Sequence, residues 1–457
     1  MVASDMTPVH ASTNSTSHPS HSRRSHRALL ARIPPKGQSP WQLSHSHSIP
    51  ALKEHEVLIK TSHVALNPFD WQGVAFKYGV GEEAKVMGRD GAGEIVGVGE
   101  AVERFKIRDR QVWFCANSSA SHAGAFQEYS VHSASEVGHT PDHLADQEAA
   151  TLGTGLITAG VALFKTLGLS LESLSRTEKK QREEDAPWVL IWGGSGITGV
   201  YLIELARLLG YRIICSASPV NHDYIKSLGA DVVLDRWSDP DELVEKIREA
   251  TDDNVRIAID NVGSVTATLC HQVLQGSTTW RKTHDVSVFE KEQNSSKLVP
   301  LAGSPKEPKN KPDRIREVES LRISFSTTFY GHPEFSEALL DRFDWLLLNK
   351  LLTPARIRLV EGGLHGIEKG LDDLRHGRVQ GGYKLVARLA DTPEELSVGT
   401  KRSREPDAEV IADIGNKRSR GNEEEREYRT SKKPKDAEAT SDHHEHIKTT
   451  SRSIIAA

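Results

Sequence analysis

Six consecutive residues, Gly194-Ser195-Gly196-Ile197-Thr198-Gly199, have the spacing of a phosphate-binding turn. In a Gly-x-Gly-x-x-Gly turn the first glycine permits the tight bend. The second lets a pyrophosphate approach the backbone, and the third allows a helix to pack closely on a strand. An apolar strand pattern precedes the turn at 188–192, and a helical apolar pattern follows at 200–209. This order predicts a dinucleotide site with phosphates at the helix N-terminus; a glycine-rich turn in another α/β domain is the alternative.

The end of the next predicted strand, 211–216, indicates which dinucleotide would bind. An NAD site usually has Asp or Glu at this point, on the ribose 2′-hydroxyl. Here the chain has Ser216 and Ser218, which can hydrogen-bond a 2′-phosphate. Lys226, on the following helix, and Arg236, after the third strand, can neutralise such a phosphate. We therefore expect NADPH; an ordinary solvated surface role is the alternative for the two cations.

Alternation of apolar strands and helices after Thr151 indicates a parallel sheet, whereas the part before it is β-rich and punctuated by glycine. The predicted strands are 27–33, 56–60, 91–99, 111–114, 188–192, 211–216, 232–235 and 257–260, and the predicted helices are 157–167, 200–209, 224–229, 240–251, 314–321 and 335–352. Polar composition predicts exposed insertions near 170–187 and 284–318.

Both ends of the chain differ in composition from its middle. Residues 1–26 are rich in Ser and His, and 391–457 mix charges of both signs with few large apolar side chains. Such segments cannot bury enough surface to offset the entropy of ordering, so we expect both to be disordered. The C-terminal tail carries basic clusters at 401–404, 417–420 and 432–435, which suggest either nuclear import or simply a charged tail.

Overall charge and cysteine usage exclude several classes of protein. The 457 residues carry a formal net charge of −5, which gives no reason to expect a nucleic-acid or membrane partner. No apolar run approaches the roughly 18 residues of a membrane span. The three cysteines, Cys115, Cys215 and Cys270, are too few and too far apart for a disulfide framework. We expect a cytoplasmic protein, with the nucleus as an alternative because of the basic clusters.

Several motifs, taken together, resemble one family. They are Val64-Ala-Leu-Asn-Pro-Phe-Asp-Trp71, Gly88-Arg-Asp-Gly-Ala-Gly-Glu-Ile-Val96, Gly124-Ala-Phe-Gln-Glu-Tyr129, Leu152-Gly-Thr-Gly-Leu-Ile-Thr-Ala-Gly160, the glycine turn and Gly362-Gly-Leu-His-Gly366. With them the chain resembles the zinc-independent, quinone-oxidoreductase-like branch of the medium-chain dehydrogenase/reductases, and within it fungal trans-acting enoyl reductases. The likeness covers about residues 27–390.

The resemblance implies an α/β fold in two parts. A GroES-like, β-rich catalytic domain would comprise 27–155 and 336–390. A Rossmann domain with a doubly wound parallel sheet would be inserted between them at 156–335, and the active site would lie in the cleft between the two.

The resemblance also raises the question of a metal. Zinc-dependent relatives hold Zn²⁺ with Cys, His and a second Cys or Glu. In this chain the first-ligand region has Asn67 in place of Cys, and the Gly-His-Glu of the second has Arg89 in place of His. The other histidines, His122, His132 and His139, show no ligand spacing and indicate solvated surface. We therefore expect a site without metal.

A metal-free cleft favours a conjugated acceptor, because charge can spread to a carbonyl oxygen that hydrogen-bond donors stabilise. The resemblance places Asn67 near the nicotinamide and the substrate carbonyl, with a plain turn residue as the alternative. It places Thr154, Thr158 and Lys384 near the cofactor, with helix capping as the alternative for each threonine. Tyr78 is a candidate proton donor, or a half-buried aromatic.

These residues lead us to expect an NADPH-dependent reductase of an activated carbon–carbon double bond or a quinone. Its substrate would be a small molecule or an acyl thioester, in some relatives delivered by a synthase, and a homodimer is one assembly that the resemblance allows. Relatives often have Lys after the tryptophan of the first motif, where this chain has Gln72. That difference, with the basic tail, keeps open a non-catalytic NADPH-binding regulatory or interaction protein.

Overall fold

A computed structural model describes residues 25–107, 111–117, 122–174, 185–283, 295–306 and 316–394. The predicted disordered ends and the basic clusters lie outside these ranges, except at their inner limits. There Ser25 and His26 already belong to the first strand, and His26 is buried. Within the described ranges, no helix combines the length and apolarity needed to cross a bilayer.

The strands of the described residues, in chain order, are β1 (Ser25–Ala31), β2 (Trp41–Ser48), β3 (Glu56–Ala65), β4 (Lys85–Val86), β5 (Asp90–Val98), β6 (Val112–Cys115), β7 (Tyr129–Ser133), β8 (Val137–His139), β9 (Trp188–Trp192), β10 (Arg212–Ala217), β11 (Val232–Asp235), β12 (Val255–Asp260), β13 (Ser295–Pro300), β14 (Glu317–Ser320), β15 (Arg356–Val360) and β16 (Tyr383–Arg388). The helices are α1 (Pro68–Ala75), α2 (Asp146–Ala149), α3 (Gly153–Gly160), α4 (Ile197–Leu208), α5 (His222–Leu228), α6 (Pro240–Thr251), α7 (Ser264–Gln275), α8 (Thr278–Thr283), α9 (Phe325–Thr328), α10 (Pro333–Leu348) and α11 (Gly366–Arg375).

A seven-stranded sheet forms the centre of the β-rich lobe. Its strand order is β15-β16-β3-β5-β6-β8, with β7 also paired to β3, and β15 and β16 are its parallel pair. On β3, Val57 and Ile59 are fully buried whereas Lys60 is exposed, the alternation of a strand with one covered face. A second sheet has the order β2-β1-β4. Because β15 and β16 come from the far end of the chain, this lobe is discontinuous in sequence, as the resemblance implies.

A six-stranded parallel sheet forms the other lobe, in the order β11-β10-β9-β12-β13-β14. All five residues of β9 are buried, which is typical of a central parallel strand covered by helices on both faces. The strand order reverses between β9 and β12, since β10 lies on one side of β9 and β12 on the other. Ligands of such sheets bind in the crevice at this reversal, beyond the carboxyl ends of the strands. The predicted Rossmann architecture is confirmed, with the glycine turn at the reversal.

Two sequence predictions are wrong in the third quarter of the chain. The expected exposed insertion at 284–318 contains β13, whose Leu298 and Val299 are fully buried beside β12. The expected helix at 314–321 is instead the strand β14, paired in parallel with β13. Polar residues surround these short segments, so their sequence shows no clear strand pattern. Pairing with neighbouring strands stabilises them instead, and tertiary context overrides local propensity here.

Helix α10 joins the two lobes. Its apolar stripe packs in a core cluster that contains residues of α3 and α4 and also Trp113 of β6. We propose that the return to the β-rich lobe begins at β15, which joins the sheet of that lobe, rather than at residue 336. The carboxylate of Asp344, in α10, accepts hydrogen bonds from the Trp113 indole at 3.2 Å and from the backbone N–H of His139 at 2.7 Å. The helix therefore packs against and hydrogen-bonds to residues of both lobes.

Candidate functional site

The glycine turn connects β9 to α4 at the carboxyl edge of the parallel sheet. The tight bend is made by Gly193, with a φ of 79°, rather than by Gly194 as the motif predicts. A Cβ atom on Gly199 would lie 2.6 Å from the Gly193 carbonyl oxygen, so only glycine fits where α4 crosses the turn. Gly196 is exposed and precedes the first residue of α4 without a side chain that could cap the helix. The first N–H groups of α4 are thus placed for a phosphate.

Helix α4 packs closely on α3 beside the turn. A Cβ atom on Gly155 of α3 would lie 2.7 Å from Cγ2 of Ile197. The backbone of α3 at Gly155 therefore packs directly against the Ile197 side chain of α4. Thr198 is half-buried in the first turn of α4, and Ser195 is buried. The turn fits a dinucleotide pyrophosphate, which would contact its backbone.

The β-rich lobe also reaches over this turn. The N–H of Gly382, just before β16, donates to the Ser195 carbonyl oxygen at 2.6 Å. A Cβ atom on Gly381 would lie 2.7 Å from Oγ of Ser195. Both lobes therefore contact the same phosphate-binding turn.

The four residues predicted at a 2′-phosphate have different places. Ser216 is buried, and its hydroxyl oxygen accepts a hydrogen bond from the Gly193 N–H at 3.1 Å, so it braces the turn. Ser218 is half-buried at the strand end, and the backbone N–H of Arg236 donates to the neighbouring Ala217 carbonyl at 3.0 Å. Lys226 is exposed in the last turn of α5. Ser218 and Arg236 thus lie close together, and the contact of Lys226 with a 2′-phosphate stays a prediction.

Sequence reasoning does not identify Arg356, which lies beside these residues. Its guanidinium lies 3.7 Å from the ring centroid of Tyr224 and 4.4 Å from that of Tyr383. One of its nitrogens donates to Oδ1 of Asn221 at 3.3 Å. Its buried Nε has no hydrogen-bond partner among the described residues. This cation, held by stacking and bonded to the residue three positions after Ser218, is a further candidate for a phosphate contact.

A buried polar network joins four residues from distant parts of the chain. The Lys384 ammonium donates to Asp90 at 2.7 Å and to Oδ1 of Asn67 at 2.5 Å. The second oxygen of Asp90 accepts from the backbone N–H of Thr154 at 2.7 Å and from its hydroxyl at 2.5 Å. The Lys384 and Asp90 side chains are 3% and 0% exposed. A buried ion pair of this kind is costly unless it is fully hydrogen-bonded, so the network fixes all four side chains.

The network also fixes which way the Asn67 amide points. Because Oδ1 of Asn67 accepts from Lys384, the other amide atom, Nδ2, points away from Lys384, an orientation assigned from the hydrogen bonds. That nitrogen is buried and has no partner among the described residues. An unsatisfied buried N–H group costs on the order of 1–3 kcal/mol, which a bound acceptor would relieve. Asn67 could therefore donate a hydrogen bond to a ligand oxygen that reaches it.

Two other predicted residues lie outside this network. The Thr158 hydroxyl, one turn along α3, donates to the Thr154 carbonyl at 2.6 Å. Tyr78 lies beyond the end of α1, half-buried, with its ring 6.0 Å from that of Phe76. The described part of the chain shows no side-chain hydrogen bond of Tyr78 to Asn67 or Lys384, so its role as a proton donor stays a prediction.

The site's side chains do not fit zinc. Arg89 has no acceptor atom, and the Asn67 carbonyl oxygen is engaged by Lys384. Among the described residues, no three His, Cys, Asp or Glu side chains are grouped as metal ligands. One of the histidines predicted at the surface, His132, is instead buried and stacked on Phe114 at 4.1 Å. Burial lowers the pKa of His132 to about 3, which keeps it neutral.

A second buried carboxylate lies beside the network. Asp70, in the first turn of α1, accepts a hydrogen bond from the backbone N–H of Asn67 at 2.8 Å. Burial raises the pKa of Asp70 to about 7, and the charge of Asp90 adds to this, while Lys384 and Arg89 oppose it. Since the carboxyl pKa in unfolded chains is about 4, native Asp70 holds its proton over a pH range in which the unfolded chain has lost it.

We expect the D70N variant to remove this proton linkage. In the wild type, the folded state binds more protons between about pH 4 and pH 7, so its free energy of unfolding falls as pH rises through that window. The free energy of unfolding of D70N should equal that of the wild type near pH 4. Above pH 7 it should be larger than that of the wild type by an amount on the order of a few kcal/mol. Thermal unfolding of both proteins across this range measures the difference, with the exposed Asp142 variant D142N as control. Parallel profiles for D70N and wild type would contradict the account.

The parallel-sheet cradle and the facing β-rich lobe define a nicotinamide-dependent oxidoreductase. Two family models match the chain, the alcohol dehydrogenase GroES-like domain at 53–142 and the zinc-binding dehydrogenase at 198–277. Trans-enoyl reductase resD of Aspergillus sclerotiorum is 31% identical over 388 residues, 79% of this chain and 100% of resD. A zinc-type alcohol dehydrogenase-like protein of Schizosaccharomyces pombe is 28% identical, over 77% of this chain and 98% of its own length.

Solved structures agree on the fold. The CurK enoyl reductase superposes with a TM-score of 0.60 at 18% identity, covering 80% of this chain and 99% of CurK. The chain belongs to the medium-chain dehydrogenase/reductase family, whose GroES-like and Rossmann domains are the two lobes described above.

Proposed function

We propose that the protein is an NADPH-dependent reductase of an activated carbon–carbon double bond, in an enone or enoyl thioester, or of a quinone, and that it works without a metal. The observation that carries this proposal is the buried Nδ2 donor of Asn67, which has no partner among the described residues. A donor held rigidly in a buried site stabilises an oxygen that gains charge in the transition state, because it needs no reorganisation.

The bound dihydronicotinamide would supply a hydride to the conjugated acceptor. Asn67 would donate to the acceptor's carbonyl oxygen, and Lys384 keeps that donor oriented. Because the Thr154 hydroxyl donates to Asp90, its oxygen can accept a hydrogen bond from the cofactor's carboxamide. In this proposal Thr158 supports Thr154 through its carbonyl.

Names of relatives support the substrate class. Relatives such as resD are named trans-enoyl reductases, and the structural neighbour CurK is named an enoyl reductase. We therefore favour enoyl thioesters over quinones, with delivery by a synthase as part of the proposal.

Three cations allow a test of NADPH preference. In the double variant K226A/R236A we expect KM for NADPH to rise at least about tenfold, because even one charged hydrogen bond to the 2′-phosphate contributes about 1.5–3 kcal/mol. KM for NADH should stay within about twofold, since NADH lacks the 2′-phosphate. R356M separates two roles: a pyrophosphate contact would weaken both cofactors equally, and a 2′-phosphate contact would weaken NADPH alone. Equal KM values for NADPH and NADH in the wild type would refute the preference.

The function itself is tested by nucleotide oxidation with a panel of acceptors. The full-length protein is given NADPH or NADH with trans-2-enoyl thioesters, enones, quinones and simple ketones, and the products are identified. We expect turnover of the conjugated acceptors with NADPH and little with simple ketones. Nucleotide binding without turnover of any conjugated acceptor would exclude the proposed function.

A further inference from the structure

Asn221 is a buried polar residue that the proposed function does not yet use. It comes directly before α5 and is 2% exposed. Its backbone N–H donates to the Ser218 carbonyl oxygen at 2.9 Å. Ser218 follows the end of β10, where sheets of this kind bind the ribose that carries the 2′-hydroxyl or 2′-phosphate of a dinucleotide. Asn221 therefore lies at the end of the crevice where NADPH and NADH differ.

The β-rich lobe fixes the orientation of the Asn221 amide. Its Oδ1 accepts a hydrogen bond from Nε2 of Gln380 at 3.2 Å and another from the guanidinium of Arg356 at 3.3 Å. Gln380 precedes β16 and Arg356 begins β15, so both donors come from the lobe opposite to Asn221. With Oδ1 engaged twice, Nδ2 is the amide atom left to donate, an orientation assigned from these hydrogen bonds.

The Nδ2 donor lies close to the phosphate-binding turn. A Cβ atom on Gly381 would lie 3.2 Å from Nδ2 of Asn221 and 2.7 Å from Oγ of Ser195, so one glycine packs against both groups. Within the described ranges, Nδ2 donates to no acceptor. It does not belong to the buried side-chain atoms that lack a partner, so it keeps contact with solvent. An amide N–H in this state is accessible to a ligand oxygen.

The neighbouring groups favour a phosphate over a hydroxyl. Arg356 brings a positive charge to Asn221, and the same charge opposes the increase in the pKa of Tyr224 that burial causes. The guanidinium is held by stacking, 3.7 Å from the Tyr224 ring centroid. A phosphate accepts hydrogen bonds from neutral amides and from cations, whereas a ribose 2′-hydroxyl usually donates to a carboxylate. Asn221 offers a donor near the position where a carboxylate would suit NADH.

We propose that Asn221 determines the choice of cofactor: its Nδ2 donates to the 2′-phosphate of NADPH, and Gln380 is the positioning residue that holds the amide in this orientation. The inference rests on the proposed function, because it takes NADPH as the cofactor. The two lobes then select the cofactor together, since the residue that contacts the phosphate belongs to one lobe and the residues that orient it belong to the other.

The variant N221D tests the donor directly. It replaces an N–H group by a carboxylate oxygen, which repels the 2′-phosphate and can accept from a 2′-hydroxyl. We expect Kd for NADPH to rise at least about a hundredfold, whereas Kd for NADH stays within about threefold or falls. Calorimetric titration of the full-length protein, without any acceptor present, gives both constants.

The matched control for this substitution is N349D. The amide of Asn349 also donates to a carbonyl oxygen, that of Trp345 at 2.8 Å, but it lies exposed at the end of α10. N349D should keep the wild-type ratio of the NADPH and NADH affinities. Equal affinity ratios in N221D and N349D would overturn the proposal.

The milder variants N221A and Q380L test the positioning. N221A adds no charge and should raise Kd for NADPH about tenfold. Q380L lets the amide turn, so Kd for NADPH should rise about fivefold in the wild-type background and less than about twofold in N221A. Kd for NADH should stay within about twofold in all of these proteins, which a general loss of structure would not give. An equal effect of Q380L with and without the Asn221 amide would refute the positioning role.

Fragments of the cofactor identify the phosphate. In N221A, adenosine 2′,5′-bisphosphate should bind about tenfold more weakly, as NADPH does, while ADP, which has no 2′-phosphate, should bind as in the wild type. Weaker binding of ADP in N221A would place the amide at the pyrophosphate and overturn the 2′-phosphate assignment. A wild-type preference for NADPH that persists unchanged in N221A and N221D would refute this inference alone. The expected affinities in a protein that reduces no acceptor would instead exclude the proposed reaction alone.

Discussion

The K384M variant is expected to lose at least about a hundredfold in kcat/KM while still folding. Lys384 holds Oδ1 of Asn67 at 2.5 Å, and without it the amide is free to turn and present the wrong group. Misplacement of a positioned group by about 1 Å can cost about a hundredfold in rate. The variant also leaves Asp90 without its cation, which typically costs about 3–5 kcal/mol of stability. Steady-state kinetics and thermal unfolding measure the two effects.

The double variant D90N/K384M separates these effects. It removes both buried charges, and the amide that it introduces in place of the Asp90 carboxylate can still accept from the N–H of Thr154. We expect most of the lost stability to return, because no unpaired charge stays buried. The lost activity should not return, because Asn67 is still unsupported. A K384M enzyme with wild-type kcat and KM would show that Lys384 has no part in positioning Asn67.

The G199A variant is expected to lose nucleotide binding by at least about a hundredfold. Its added Cβ would lie 2.6 Å from the Gly193 carbonyl oxygen and 2.8 Å from that of Gly194. Both contacts are to backbone, so the turn must shift away from α4. Overpacking of this kind also costs about 1–3 kcal/mol. Calorimetric titration with NADPH and thermal unfolding of the full chain provide the measurements.

A glycine elsewhere gives the matched control. Gly81 has no atom within 4 Å of an added Cβ, so G81A should bind nucleotide like the wild type. If G199A and G81A bind NADPH equally well, the close crossing of α4 over the turn is not needed for binding.

Local patterns predict the cofactor lobe well. The glycine turn, β11 and α6 follow from spacing and apolar periodicity within short stretches of chain, and the structure places them as expected. The strand β13 escapes this reasoning because few of its side chains are large and apolar, and their burial depends on β12. Local sequence cannot show such a neighbour.

The candidate site is predictable in part. Resemblance identifies Asn67, Thr154 and Lys384, but not their connection through Asp90. Lys384 and Asp90 are 294 positions apart in the chain, and no local pattern links them. Arg356 escapes for the same reason, since its two stacking rings come from α5 and β16. The sequence marks Arg89 only as a missing zinc ligand, because its burial beside Phe69 and Phe325 depends on segments that are far apart in the chain.

The backbone hydrogen bond from Gly382 to Ser195 limits how far this protein can be treated as modular. Consider a chimera in which only the inserted domain is replaced by that of a relative with another cofactor preference. Residues 380–382 of the original chain would then contact the nucleotide turn of the relative. In sequence, residues 380–382 are part of the β-rich lobe, but Gly381 and Gly382 contact Ser195 in the nucleotide turn. Transplants should therefore carry this tripeptide with the insert, even though about 180 residues of scaffold separate it from the turn.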